Sequence, residues 1–321
     1  MSQGPSLAYF QGKIVPIEEA KVSVMTHALN YGTGAFGGIR AYWNEEHEEL
    51  YVFRPLDHFK RVLDSGKILL MNLPYTPESM LQILLDLLHQ ENYHQDVYIR
   101  PLIYASSPGI GVRLHNLDSD FTMFALPFGS YIPNEEGAHA TFSSWRRIDD
   151  NAIPARGKIT GAYANSALIK TDAALKGFDE ALVLNEDGHI AEGSAENFFM
   201  IRNGVAVTPP SSANILEGIT RRTIIQLLQD EIGLDVEIRQ IDRTEVYIAD
   251  EVFFCGTGVQ VVAVTEVDHR AVGTGKIGPV VRQLRDLYFN VVRGNVARYS
   301  NWNIPVYREV VTQPNTPQKQ Q

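Results

Sequence analysis

Apolar positions along the chain alternate between two spacings. In residues 55–71, PLDHFKRVLDSGKILLM, they fall at Leu56, Phe59, Val62 and Leu63, which is the three-and-four spacing of one helix face. Asp57 suits the first turn of such a helix, where unpaired amides favour negative charge. Residues 76–93, TPESMLQILLDLLHQENY, carry the same spacing more densely. Thr76 reads as the cap, and Pro77 fits a first turn that needs no amide hydrogen. Strand-like stretches flank these helices: ELYVFR at 49–54, DVYIRPLIYA at 96–105 and SDFTMFALPFGSY at 119–131. IPNEEGAHA, at 132–140, breaks the pattern and reads as a linker. TFSSWRRI follows as a strand, then a helix from about Tyr163 to Lys176, then strands EALVLN, HIAEGSAENFFMIRN and VAVTPP. EGITRRTIIQLLQDEIG, at 217–233, is an amphipathic helix closed by Gly233. Strands VEIRQI, EVFFCG and VQVVAVTEV precede a last helix at 278–294. Strands and helices in mixed order, without regular βαβ alternation, predict two domains of α/β (α+β) type.

Size and charge narrow the function classes. The 321 residues exceed one ordinary core, in keeping with two domains. A formal charge of −10 argues against nucleic acid or an anionic membrane as partner, since both need a basic face. It leaves room for a small anion in a local pocket of donors. The single cysteine, Cys255, can form neither an internal disulfide nor a zinc cage. The first twenty residues show no basic start and no apolar signal core, and no apolar run reaches the roughly 18 residues of a membrane span. A cytoplasmic protein is therefore expected, with a flexible tail at 309–321.

Five stretches carry candidate chemistry. RGKITGAYANSALIK, at 156–170, places Lys158 among small residues with Tyr163 five positions on. Loss of solvation would lower the basicity of such an amine and free it to act as nucleophile or base. In HIAEGSAENFFMI, at 189–201, alternation along one continuous strand puts Ile190, Glu192, Ser194, Glu196 and Phe198 on one face. A buried Glu192 there would need a cationic partner. In NILEGITRRTI, at 214–224, the amides and the Thr220 hydroxyl at a helix start suit a phosphate. Gly256-Thr257-Gly258, between two apolar strands, offers amides to an anion. In YIRPL, at 98–102, Tyr98, Arg100 and Leu102 share a face, and Arg100 suits a carboxylate. Pro101 argues against a central position for that strand. Taken singly, each stretch also fits a commoner role: a surface lysine, an edge carboxylate, a helix cap, a β-turn, an edge arginine.

Taken in order, the stretches resemble the fold-type IV (class IV) pyridoxal-phosphate aminotransferases, the branched-chain amino acid aminotransferases in particular. The likeness runs from about Ala8 to Tyr307 and rests on HALNYGTGAFGGIRAY, DHFKR, YIRPLIY, IPARGKITGAY, EGSAENFF, ILEGITRR and FFCGTG. It implies a small N-terminal domain at 1–131, the linker at 132–140, and a larger cofactor-binding domain at 141–308, with the active site at the domain interface.

By the same resemblance, Lys158 forms the aldimine with pyridoxal 5'-phosphate and shuttles the substrate proton. Tyr163 meets the cofactor's phenolic oxygen and Glu192 its pyridine nitrogen, and Leu216 also belongs to the cofactor site. Arg61, Ile219, Thr220 and Thr257 hold its phosphate. Thr257 and Gly258 take the substrate α-carboxylate. Phe36, Tyr98, Phe128 and Tyr131 wall the side-chain pocket, and Arg100 receives the distal carboxylate of glutamate. Tyr31 and Val112 reach into the neighbouring subunit's site, which implies a homo-oligomer of at least two chains. Three positions depart from the family pattern: Gly37 where an acid is usual, the small Ala206, and Gly258 where a relative carries alanine. The implied reaction is ping-pong transfer from L-valine, L-leucine or L-isoleucine to 2-oxoglutarate. The rivals within the fold are D-amino acid or R-selective amine aminotransferases and 4-amino-4-deoxychorismate lyase.

Overall fold

A computed structural model describes residues 6–129 and 137–308. The first sheet is built from β1 (Leu7–Phe10), β2 (Lys13–Pro16), β3 (Gly34–Phe36), β4 (Ile39–Asn44), β5 (Glu49–Phe53), β6 (Val97–Ala105) and β7 (Ser119–Pro127). The second is built from β8 (Ala138–Arg146), β9 (Glu180–Leu184), β10 (Ile190–Gly193), β11 (Asn197–Arg202), β12 (Val205–Thr208), β13 (Val236–Ile238), β14 (Glu251–Gly256), β15 (Gln260–Val267) and β16 (Arg270–Ala271). β17 (Asn303–Pro305) then returns to the first sheet and pairs antiparallel with β5. The strand order is β17-β5-β4-β6-β7-β1-β2, with β3 beside β6, and β10-β9-β8-β15-β14-β11-β12-β13, with β16 beside β15. The first sheet is antiparallel, whereas β8 runs parallel to both β9 and β15. Residues 138–140, expected to close the linker, already belong to β8; residues 132–136 and the tail at 309–321 lie outside the described residues.

Helices α1 (His27–Tyr31), α2 (Pro55–Ile68) and α3 (Pro77–Glu91) accompany the first sheet. Thr76 caps α3 by accepting the Ser79 amide, and Ser79 answers by accepting the Thr76 amide. Asp57 opens α2 in ion pairs with Arg54 (2.7 Å) and Arg222 (2.8 Å). Phe59 and Val62 of α2 and Met80, Leu84 and Leu87 of α3 pack on Ile39, Val52, Val97, Ile99 and Ile103. Each such side chain contributes about 1.5–3 kcal/mol on burial. Along β6 the pleat sends Val97, Ile99 and Ile103 into this core and turns Tyr98, Arg100 and Leu102 to the other face.

Pro101 sits in a central strand, contrary to expectation. It lies opposite Gly37, where the partner of β6 changes from β4 to β3, and its carbonyl accepts the Gly37 amide. The ladder is already interrupted there, so a missing amide hydrogen costs little.

Helices α4 (Tyr163–Leu175), α5 (Ile219–Leu227) and α6 (Pro279–Val292) pack on the second sheet. Ile224 and Leu227 of α5 and Val281, Leu284 and Tyr288 of α6 share a core with Phe199 and Phe253 of the sheet and Tyr42 and Phe53 of the first sheet. The helix of α5 loosens into a wider turn over Leu228–Ile232 and stops at Gly233, whose φ of 73° is left-handed.

Candidate active site

A cavity of about 710 Å³ opens between the two sheets. Phe36, Gly38, Tyr98, Arg100 and Phe128 line it from one side, and Lys158, Tyr163, Glu192, Leu216, Ile219, Thr220, Thr257 and Gly258 from the other. Tyr131 lies outside the described residues. Lys158 precedes α4 in an extended segment. Its carbonyl accepts the Phe36 amide at 3.0 Å, and Ile159 bridges to Ala35, so the lysine is strapped to the first sheet. Lys158 Nζ lies 2.5 Å from the Tyr163 hydroxyl and 5.1 Å from the centre of the Phe36 ring. Lys158 is half-buried, with its exposed surface turned to the cavity and protein packed around the rest. This burial, with the Arg61 charge added, lowers the amine to about 8. Burial and the Glu192 charge raise Tyr163 to about 12, so the phenol keeps its proton.

Glu192 does not reach the cavity by simple alternation. The segment read as one strand is two, β10 and β11, separated by a turn in which Gly193 donates to the Glu196 carbonyl at 2.7 Å. The reversal, rather than a shared strand face, puts Glu192, Ser194 and Glu196 on one cavity wall. Glu192 is buried and holds three donors: Arg147 Nη2 at 2.9 Å, Asn197 Nδ2 at 3.0 Å and the Leu216 amide at 3.3 Å. Burial raises its pKa, and Arg147 is the main opposing influence.

Gly218 precedes α5 with no side-chain cap. A Cβ there would fall 1.9 Å from Asn197 Oδ1, so close packing demands glycine. Among the described residues the Ile219 and Thr220 amides have no hydrogen-bond acceptor. Beside them Arg61 donates to the Glu217 carbonyl at 3.3 Å, while its buried Nε lacks a partner. Burial pushes Arg61 down to about 10, which leaves it cationic at neutral pH. An orphaned guanidinium nitrogen, an uncapped helix start and the hydroxyls of Thr220 and Thr257 suit a phosphate. Together with Glu192 for a protonated ring nitrogen and an amine beside a phenol between them, these residues fit pyridoxal phosphate.

The side-chain pocket is aromatic. Tyr98 and Phe128 stand with ring centres 5.3 Å apart. The Arg100 guanidinium lies 4.5 Å from the centre of the Phe36 ring and 5.1 Å from that of Tyr98, and its Nε donates to the Tyr98 hydroxyl at 3.2 Å. Phe124 and Leu126 also line the cavity, and their spacing of two from Phe128 was a sign of this. Three polar residues escaped sequence reasoning: Arg40, Arg147 and Asn197. Gly37 packs against Pro101 and Val62 outside the lining, whereas Gly258 faces open space. Tyr31 and Val112 do not line this cavity. The Tyr31 hydroxyl accepts the Gly111 amide at 3.1 Å, and Val112 is 90% exposed.

The fold and this site define a class, and comparison with known proteins agrees. The family model described as Amino-transferase class IV matches residues 34–267. The chain belongs to the class IV aminotransferases. Within that class several of its relatives carry the name of branched-chain enzymes. A probable branched-chain-amino-acid aminotransferase of Aquifex aeolicus is 48% identical over 300 residues, spanning 94% of this chain and 96% of the relative. The branched-chain aminotransferase of Thermoproteus uzoniensis, solved with norvaline, superposes with a TM-score of 0.91 at 40% identity, covering 95% of this chain and all of that one (100%). The Thermobaculum terrenum enzyme, solved in its PLP form, has a TM-score of 0.91 at 38% identity and covers 95% and 99%.

Proposed function

We propose that this protein transfers the amino group of L-valine, L-leucine and L-isoleucine to 2-oxoglutarate, using pyridoxal 5'-phosphate bound in the cavity. The observation that carries the proposal is the Lys158 amine 2.5 Å from the Tyr163 hydroxyl, in one cavity with buried Glu192. Bound there, the cofactor supplies an aldehyde that condenses with amines and a ring that accepts an electron pair.

The protein's own groups would do the rest. Arg61, the Ile219 and Thr220 amides and the Thr220 and Thr257 hydroxyls would hold the phosphate. Leu216 would pack on the ring. Glu192 would keep a proton on the ring nitrogen, and Tyr163 would donate to the phenolic oxygen. Lys158, with its lowered basicity, would be neutral in a useful fraction at working pH and move the proton at the substrate α-carbon. The Thr257–Gly258 turn would orient the α-carboxylate. Phe36, Tyr98 and Phe128 would surround a branched side chain. In that state Arg100 remains cushioned by two aromatic faces and a phenol oxygen; with 2-oxoglutarate it would turn its fork to the distal carboxylate. One pocket can thus serve both half-reactions of a ping-pong cycle.

L-leucine with 2-oxoglutarate should give L-glutamate. Borohydride reduction should fix the cofactor on the peptide bearing Lys158, and Lys158→Ala should be colourless. Turnover of D-leucine alone, or a label on another peptide, would reject the proposal. The segments around Tyr31 and Val112 support a symmetric assembly of at least two copies. We further assign two domains around the site, 1–131 and 141–308, with β17 (Asn303–Pro305) returning from the second to the sheet of the first. A cytoplasmic setting fits the single, buried free thiol of Cys255; among the described residues no helix is long and apolar enough to cross a membrane.

A further inference from the structure

Arg40 is a buried cation whose bonds are all to backbone carbonyls. It is 2% exposed, and among the described residues no carboxylate pairs with it. Its Nε donates to the Thr257 carbonyl at 2.9 Å and its Nη2 to the Gly258 carbonyl at 2.9 Å. Nη2 also donates to the Gly129 carbonyl at 2.8 Å, and Nη1 to the Phe128 carbonyl at 3.1 Å. The guanidinium carbon lies 4.8 Å from the centre of the Phe128 ring. Arg40 itself does not line the cavity, whereas residues 255–259 do.

In a trans peptide the carbonyl and the amide hydrogen of one unit point in opposite directions. The Thr257 carbonyl belongs to the unit that carries the Gly258 amide, and the Gly258 carbonyl to the unit that carries the Val259 amide. Arg40 draws both carbonyls to the side away from the cavity. Both amides therefore face the cavity, and among the described residues neither has an acceptor. Two adjacent free amides form a carboxylate-sized nest. The same guanidinium grips the chain at Phe128, the wall of the side-chain pocket.

We infer that Arg40 is a positioning residue: it aims the Gly258 and Val259 amides at the substrate carboxylate and ties that nest to the Phe128 wall. The inference rests on the proposed transamination for the identity of the anion, but the clamp stands apart from it. Arginine is required because four carbonyls in two directions need its planar fork; a lysine ammonium has three donors on one point.

The test compares Arg40→Met and Arg40→Lys with the wild-type holoenzyme. Binding of 4-methylpentanoate, followed through the cofactor's absorbance, should weaken at least ~10-fold in R40M and less in R40K, and KM for leucine should rise in step. Cofactor affinity, held also by Arg61 and the start of α5, should fall clearly less than carboxylate affinity, and kcat should stay within about 3-fold. Hydrogen exchange should speed up together at residues 126–129 and 255–261 and not elsewhere. If R40M is not recovered folded, R40K carries the same readouts. Equal losses of carboxylate and cofactor affinity, or unchanged exchange at both segments, would overturn the inference. A wild type that binds cofactor but ignores the carboxylate would refute the proposed reaction, and the exchange result alone would then judge the clamp.

Discussion

Lys158 and Glu196 show how one cavity can push two titrations in opposite senses. Burial, reinforced by Glu180, raises Glu196 from 4.5 to about 8. Burial lowers Lys158 from 10.5 to about 8. In cofactor-free protein between pH 4.5 and 8, folded Glu196 holds a proton that the unfolded chain has lost, so stability falls as pH rises. Between pH 8 and 10.5, folded Lys158 has lost a proton that the unfolded chain retains, so its contribution grows with pH. Urea denaturation should show stability falling toward about pH 8 and recovering just above it, until the Cys255 thiol, pushed up by burial, opposes the Lys158 limb above about pH 9. Glu196→Gln should flatten the acid limb and Lys158→Met the alkaline one. Single minima at the same pH in both variants would contradict this. Burial raises Glu192 as well, and Arg147 is the main influence holding that rise back. Arg147→Met should lower the affinity for cofactor ~10-fold or more and shift the pH dependence of its absorbance, since the buried carboxylate loses its ion pair.

Short elements set the phosphate end of the site. Gly218 lets α5 start against Asn197, and Asn197 joins the Leu216 carbonyl to Glu192. Gly218→Ala should therefore disturb two subsites with one methyl group. Expected are about 1–3 kcal/mol lost in denaturation and cofactor affinity down by ~10-fold. Gly258→Ala meets nothing within 4 Å and should change either quantity little, about 3-fold at most in affinity. The elements themselves were legible in the sequence to differing degrees. The α3 cap at Thr76, the stop at Gly233 and the two faces of β6 follow from local patterns, because caps, left-handed glycines and pleats act over a few residues. The turn between β10 and β11 was hidden. Its residues continue the alternation of a strand, so nothing in the pattern announces the tight turn that joins Gly193 to Glu196, three residues on. Of the site, Lys158, Tyr163 and Glu192 are candidates from their surroundings, each with a commoner role open to it, and the family resemblance gives them their functions. Arg40, Arg147 and Asn197 gave no sign, since nothing local distinguishes a buried arginine on backbone carbonyls from one in solvent.

At the scale of the molecule, α1 and the segment at 107–112 form a surface of unusual character. The Met25 carbonyl accepts the Gly109 amide, His27 Nε2 pairs with the Gly111 carbonyl, and Val24, Leu29, Ile110 and Val112 project outward, from 63% to 90% exposed. Exposed apolar groups on two segments that are bonded to each other are what a second copy of the chain would be expected to cover. Sedimentation should find the wild type as a dimer or larger, and the double variant L29D/V112D should shift it toward monomer. Retention of the wild-type sedimentation coefficient would exclude this surface from the assembly.

The return of β17 to the edge of β5 means that the backbone passes between the two halves twice, once after Phe128 and again between α6 and Asn303. The core that Tyr42 and Phe53 share with Phe199, Phe253 and α6 adds to these two covalent crossings in holding the halves together. A protease nick in one of the two connections should leave the halves attached and the other crossing intact.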